Sequence, residues 1–342
     1  MRIEYQKLYN IAKERFIEIG TPEEVANSTV ESLLLAESCG VQSHGIRMMT
    51  AHAKKIINKE YDVLSNLTKE IETTSFARFN CNNQIGMASA KQCMQYAIDK
   101  AKECGIFTVL ANHCNTYSAA FVYSWQAAKN GCIGITFCNS PAQMAPIGGC
   151  EKLIGTNPLS YSIPASKYSP IIFDMATSIV AKSKINQALE KGENIPEGWA
   201  LDIDGNPTTD PSMAVKGLVL PIAGPKGYGL AMMIDLLSGL LSNAAYLNTV
   251  GRFYHNSNNF SNPCMNVGQV FIAIDPSIVY GANFFNEVDN YIELLKNSRK
   301  TNNNIIRIPG ESKLLSYSRT MKEGFEISDK IIDDFLHLTK ML

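Results

Sequence analysis

The chain has 342 residues, 45% hydrophobic and 18% charged, with a formal net charge of −1. That length suits two or three packed modules, and the near-neutral balance offers no basic field to nucleic acid or anionic lipid. No apolar run reaches the roughly 18 residues of a membrane span, and the N-terminal MRIEYQKLYN has no signal-peptide core, so a cytosolic protein is expected.

The nine cysteines (Cys39, Cys81, Cys93, Cys104, Cys114, Cys132, Cys138, Cys150 and Cys264) form no CxxC pair. Their odd number and the missing export signal favour reduced thiols over disulfides. The five histidines (His44, His52, His113, His255 and His337) form no HExxH pair, so no metal is expected.

In chain order, Tyr5, Leu8, Ala12, Phe16 and Ile19 recur at helical spacing until Gly20. Thr21-Pro22-Glu23-Glu24 then reads as a capping box opening a second helix, with Val25, Leu33, Leu34 and Ala36 inward and Gly40 at its end. A third helix is predicted from Gly45 to Asn58. Strands are predicted at 73–80 and 106–111, with helices at 89–104 and 118–129. This alternation indicates an α/β sheet.

Residues 132–178 hold three apolar runs, at 132–138, 158–163 and 170–174. Each ends in residues able to present backbone and hydroxyl groups, including Asn139-Ser140, Thr156-Asn157 and Asp174 to Ser178. Ligands tend to sit where strand ends release the chain into loops, so this stretch is a candidate crevice; the alternative is a sheet with ordinary turns.

A helix is expected over 178–192, and a hairpin plus a long loop over 193–214, where Asp202, Asp204 and Asp210 read as turn carboxylates. GPKGYG (224–229) opens an apolar helix running to about 241. Residues 246–266 form a polar loop, 267–276 a strand, and 284–297, 313–323 and 328–341 helices.

No GxGxxG occurs. At GPKGYG, free amides at a helix start and the Lys226 charge can hold a phosphate; the other reading is close packing. Ser43-His44-Gly45 lies between two helices, where a histidine can transfer a proton near neutral pH or simply be exposed. Arg47 can fork onto a carboxylate or remain a solvated charge. His113-Cys114 resembles a nucleophile pair only by adjacency, which does not create the geometry. His52, His255 and His337 have no supporting neighbours.

SHGI (43–46), NSPAQMAPIGGCEKLIGTNPLSYSIP (139–164), FDMATS (173–178), IPEGWALDIDGNPTTDP (195–211), GPKGYGLAMMIDLLSGLL (224–241), GQVFIAIDP (268–276) and PGE (309–311) occur in this order. Together they resemble the malate/L-lactate dehydrogenase family that lacks the Rossmann fingerprint, with wording nearest its ureidoglycolate branch. The resemblance implies a three-layer α/β/α fold with a non-Rossmann mixed sheet and a helical layer made by both termini. By that likeness, 1–72 with 305–342 form the helical, dimer and substrate side. Residues 73–304 form the cofactor core, with 120–215 the main nicotinamide segment.

The resemblance further implies NAD, or NADP, as cofactor, a homodimer, and hydride transfer on a small 2-hydroxy or 2-oxo acid. Ser140, Asp174, Met175, Ala176, Thr177, Lys226, Gly227, Gly310 and Glu311 match cofactor positions. His44 matches the proton donor, with Ser43 beside it and His113 as second candidate; Thr156 and Asn157 frame the nicotinamide or substrate.

Two departures stand out. The family's carboxylate-clamping arginine, four residues after the SHG histidine, is Met48 here, and Arg47 precedes it. The family's pocket histidine falls on Thr116, which cannot act as an acid or base near neutral pH. The alternative function is therefore a cofactor-binding paralogue with impaired or altered activity.

Overall fold

The computed structural model describes residues 2–254, 264–302 and 304–339. Residues 255–263 of the polar run 246–266, His255 among them, lie outside the described residues.

The centre is a seven-stranded sheet: β1 (Thr68–Glu72), β2 (Phe76–Asn80), β3 (Ile106–Cys114), β4 (Ile133–Cys138), β5 (Leu159–Ile163), β6 (Ile171–Met175) and β7 (Val267–Ile274). Its spatial order is β1-β2-β3-β7-β4-β5-β6. Every neighbouring pair is antiparallel except β2 and β3. That parallel pair is joined by helix α4 (Gly86–Cys104), as a parallel crossover requires. The α-helices longer than four residues are α1 (Tyr5–Glu18), α2 (Glu23–Ser38), α3 (Met49–Ile57), α4, α5 (Phe121–Lys129), α6 (Lys182–Lys191), α7 (Pro211–Lys216), α8 (Pro225–Ile234), α9 (Phe284–Lys296), α10 (Glu311–Glu323) and α11 (Asp329–Thr339).

Strand periodicity decides the layers. In β3, Phe107, Val109 and Ala111 face the core under α4 and α5, while Leu110 faces the opposite side. There Leu110, Phe137 and Val270 meet Ile234 of α8 and Leu237 beyond it. Each such fully buried side chain stabilises the fold by roughly 1.5–3 kcal/mol. A second cluster gathers α1, α2, α3 and α11 around Phe16, Leu33, Leu34, Met49 and Phe335.

Several expectations change. Pro22 takes the N-cap position of α2 with extended geometry, so the helix starts one residue late for the capping box; Thr21 Oγ1 is buried without a hydrogen bond. The helix foreseen from Gly45 is broken. Gln42–His44 and Ile46–Met48 are separate 3₁₀ turns hinged at Gly45 (φ −106°, ψ −136°), and α3 starts only at Met49. Strand β3 continues to Cys114 and carries His113 into the sheet.

Strand β1 escaped notice because TKEIE is exposed throughout and has no apolar alternation. It belongs to the main sheet, so the helical layer ends before Thr68 rather than at 72. The C-terminal segment also divides: Leu314 and Tyr317 of α10 pack on the sheet's core, and only the chain from Phe325 onward joins the N-terminal helices. Helix α6 starts at Lys182 rather than 178, because Ser178 bridges to Pro221 and Ile179 N donates to Leu220 O. The expected loop after 208 contains α7, whose Ser212 N donates to the Asp210 carboxylate at 2.8 Å. The helix opened by Pro225 ends as a π turn over Asp235–Leu240.

Candidate active site

The end of β4, the start of β5 and the end of β6 lie together. Ser140, just past β4, donates its amide to Asn157 Oδ1 at 3.0 Å, and Asn157 Nδ2 donates to Ala231 O on α8 at 2.8 Å. Thr156 O accepts from both the amide (2.9 Å) and the hydroxyl (3.0 Å) of Thr177, beyond β6. Thr177 O in turn accepts from Ile222 N, and Ile222 O from Gly227 N, each at 2.9 Å. Ser140 and Asn157 thus belong to one hydrogen-bonded chain and Thr156, Thr177 and Gly227 to a second, the two joined as one node through the Thr156–Asn157 peptide, with Lys226 next to Gly227 on α8. Glycine is required at 155, because a Cβ there would collide with Ser140 O and Asn157 Oδ1.

Asp174, Met175 and Ala176 lie at the partly exposed end of β6. The Asp174 side chain, 14% exposed, sits 3.7 Å from Lys313 Nζ on α10. Burial raises its pKa, and Lys313 opposes that rise. Gly310, in the left-handed region (φ +100°), brings α10 against β6, where Ile172 N donates to Pro309 O at 2.9 Å. Glu311 caps this corner by accepting from Ile308 N at 3.1 Å, and it pairs with Lys296 at 2.5 Å.

At α8 the expected free amides are spoken for. Pro225 has no N–H, and the amides of Lys226, Gly227 and Tyr228 donate to Ala223, Ile222 and Gly224 carbonyls. The exposed Lys226 side chain and the helix dipole remain to attract an anion. A second cationic group was not foreseen. Lys182 Nζ donates to Gln143 Oε1 at 2.9 Å, on the hairpin that follows Ser140. Burial lowers the pKa of Lys182, and the nearby charges of Lys152 and Arg252 lower it further. No carboxylate pairs with these three among the described residues.

The other half of the site is the turn 42–48. Ser43 and His44 are exposed, and Ser43 Oγ lies 2.9 Å from His44 Nδ1, which leaves Nε2 as the outward nitrogen. Crowding by surrounding protein lowers the His44 pKa even though the ring remains open to solvent, as in the wall of a cleft. Ser118 Oγ donates to His44 O, and Ser118 N to Thr116 Oγ1 at 3.5 Å. Thr116 is therefore tied to the His44 turn. Glu37 Oε2 accepts from Ile46 N at 2.9 Å. Arg47 is exposed, and Met48 Sδ accepts from Tyr254 Oη at 3.4 Å.

His113 makes other bonds. Its amide donates to Asn266 Oδ1 at 3.0 Å, its Nδ1 lies 2.8 Å from Asn112 Oδ1, and its φ is +48° at a register shift between β3 and β7. The hydrogen bonds around Thr116 lead to His44, and those of His113 lead into the sheet.

Segment 115–121 joins the two halves. Tyr117 and Phe121 pack in the same core cluster as Cys138 at the end of β4 and Ile172 of β6, while Ser118 holds the His44 turn and bonds Thr116. Phe121 lies under Lys313 Nζ at 5.0 Å, next to Asp174. Ser118, Glu37, Lys182 and Lys313 belong to this architecture and were not anticipated, because hydroxyls and charges carry no periodic signal. Among the described residues, no group of three or more His, Cys, Asp or Glu side chains is placed to hold a metal, and no helix is long and apolar enough to cross a membrane.

Residues 3–336 match the family model described as malate/L-lactate dehydrogenase. L-sulfolactate dehydrogenase of Methanothermobacter thermautotrophicus is 35% identical, over 100% of this chain and 97% of its own length. Ureidoglycolate dehydrogenase (NAD(+)) of Escherichia coli strain K12 is 32% identical, over 99% of this chain and 97% of its own. The structure of sulfolactate dehydrogenase from Methanocaldococcus jannaschii superposes with a TM-score of 0.91 at 33% identity, covering 100% of this chain and 97% of that one. The mixed sheet with its helical layers is the fold of that relative. The chain belongs to the malate/L-lactate dehydrogenase family.

Proposed function

We propose that this protein is an NAD(P)-dependent dehydrogenase acting on the CH–OH of a small 2-hydroxy acid. The observation that carries the reading is that segment 115–121 packs through Tyr117 and Phe121 on the strands that end at 138 and 175, beside the bonds at 140, 156–157 and 177, and holds the His44 turn through Ser118. The polar groups at the node suit a dinucleotide: Ser140 carries a part-exposed hydroxyl and Lys226 an exposed charge, and Gly155 and Gly310 permit the close packing of the loops around them. Ser140, Asp174 to Thr177, Lys226, Gly227, Gly310 and Glu311 are the residues that would hold it. When bound, the nicotinamide supplies the hydride acceptor or donor.

The chain's own part is orientation and proton transfer. His44 Nε2 takes the proton of the substrate hydroxyl during oxidation and returns it during reduction of the 2-oxo acid. Base action at Nε2 uses the tautomer with the proton on Nδ1, which donates to Ser43 Oγ. Arg47 anchors the carboxylate, Thr156 and Asn157 frame the reacting carbon, and Thr116 lines the wall beside His44. His113 is the second candidate for proton transfer; its hydrogen bonds to Asn112 and Asn266 favour a role in the sheet.

We assign the protein to the cytosol as a homodimer. In support of the dimer, Leu236, Leu240 and Leu241 beyond α8 are 50–55% exposed. Leu241 also borders an apolar groove with Ile71, Phe76 and Ile106. Contiguous apolar surface of this kind marks protein contacts. It lies on the core rather than on the helical layer.

Fluorescence titration with NADH and with NADPH tests the reading and separates the two cofactors. Saturable binding that Ser140→Ala or Lys226→Met weakens supports it. Absence of binding by either nucleotide would sink it.

A further inference from the structure

His44 is the least anchored of the chemical groups. It stands on a turn of two 3₁₀ segments, Gln42–His44 and Ile46–Met48, hinged at Gly45, and short 3₁₀ turns hold their shape poorly without outside partners. Two side chains supply them. Ser118 Oγ reaches the carbonyl on one side of the hinge, at His44. Glu37 Oε2 reaches the amide on the other side, at Ile46, at 2.9 Å. The Glu37 carboxylate also fills the space beside Gly45, where any Cβ would collide with it. Glu37 sits in the last turn of α2, so it transmits the position of a well-buried helix to the hinge.

We propose that Glu37 is a positioning residue for proton transfer: its carboxylate, working against Ser118, sets the Gly45 hinge and thereby the placement of the His44 ring. This rests on the reading of His44 as the proton partner. The hinge role belongs to the acceptor oxygen, because the bond is to a backbone amide; the carboxylate charge acts separately, on nearby Arg47. Glutamine keeps such an oxygen at the same place and alanine does not. Glu37 also borders a polar cavity of about 450 Å³ with Gln42 and Arg319, so its back is open to water and a side chain of similar shape is tolerated.

The test compares full-length wild type with Glu37→Gln and Glu37→Ala in three measurements: amide hydrogen exchange of the peptide spanning 42–48, NADH affinity, and kcat against KM. Glu37→Ala should speed exchange at Ile46 and lower kcat at least ~10-fold, as loss of orientation does, with NADH affinity unchanged. Glu37→Gln should restore both exchange and kcat to within about threefold of wild type. Faster exchange without a loss of kcat, or equal loss in both variants, would overturn the proposal. If wild type turns over no 2-hydroxy acid, the functional reading fails, while hydrogen exchange still reads the clamp separately. Unchanged exchange in Glu37→Ala would overturn the clamp itself.

Discussion

The two halves of the site are held by different means. On the cofactor side, Ser140, Asn157 and Ala231 form a chain of bonds between a strand end, a loop and a helix, with Asn157 fully buried. Thr156, Thr177, Ile222 and Gly227 form a second such chain. On the proton-transfer side, a turn that exposes Ser43, His44 and Arg47 is held at its Gly45 hinge by two side chains, Ser118 and Glu37. The first half is therefore rigid and its loss should be felt as stability and binding together. The second is free to change chemistry without changing the fold.

The largest expected effect breaks the second half alone. His44→Asn should lower kcat by about 10²–10⁴, the usual worth of a general acid–base group, with NADH affinity and melting temperature unchanged. His113→Asn should cost much less in kcat, since asparagine tolerates the positive φ at that position. Steady-state kinetics on both variants decide between the histidines.

Breaking the first half should show the opposite pattern. Asn157→Ala leaves the Ser140 amide without its partner and removes one of the two bonds to the Ala231 carbonyl, which should destabilise the protein by roughly 1–3 kcal/mol and weaken NADH binding in the same variant. Denaturant unfolding and nucleotide titration read the two effects.

Lys226→Met separates charge from scaffold. Its side chain is exposed, so unfolding should not move, while NADH affinity should fall ~10-fold and lose part of its salt dependence.

A smaller effect concerns the floor beneath the His44 turn. His52 is fully buried, lies 3.0 Å from Tyr61 Oη through Nδ1, and burial pushes its pKa down to about 3. The unfolded chain, with an ordinary histidine near 6.5, binds the proton first as pH falls. Stability should therefore drop as pH falls from about 6.5 toward 3, and His52→Gln should flatten that slope by ~1 kcal/mol or more. Unfolding curves of both proteins between those limits measure the difference.

Much of the rigid half was readable from residues alone. Strands β4, β5 and β6 follow their apolar runs, and the loops after them contain the node. The proton-transfer half was less readable for identifiable reasons. Gly45 interrupts a helical pattern because Glu37 occupies the space beside it, a contact between residues eight apart that periodicity cannot register. Ser118 reaches His44 across 74 positions. The amides of α8 looked free from the motif but are taken by carbonyls of the preceding turn. Strand β1 has no hydrophobic alternation, and its pairing with β2 decides its place.

The central claim is that these two halves make one dehydrogenase site. Oxidation of malate, lactate, sulfolactate and ureidoglycolate with NAD⁺ and NADP⁺, followed by nicotinamide absorbance, tests it most directly. The account predicts reduction of one nucleotide by at least one of these acids, abolished in His44→Asn while NADH still binds. Tight nucleotide binding with no turnover on any of the acids would contradict it and would mark the chain as a cofactor-binding paralogue, with Met48 and Thr116 as the altered positions.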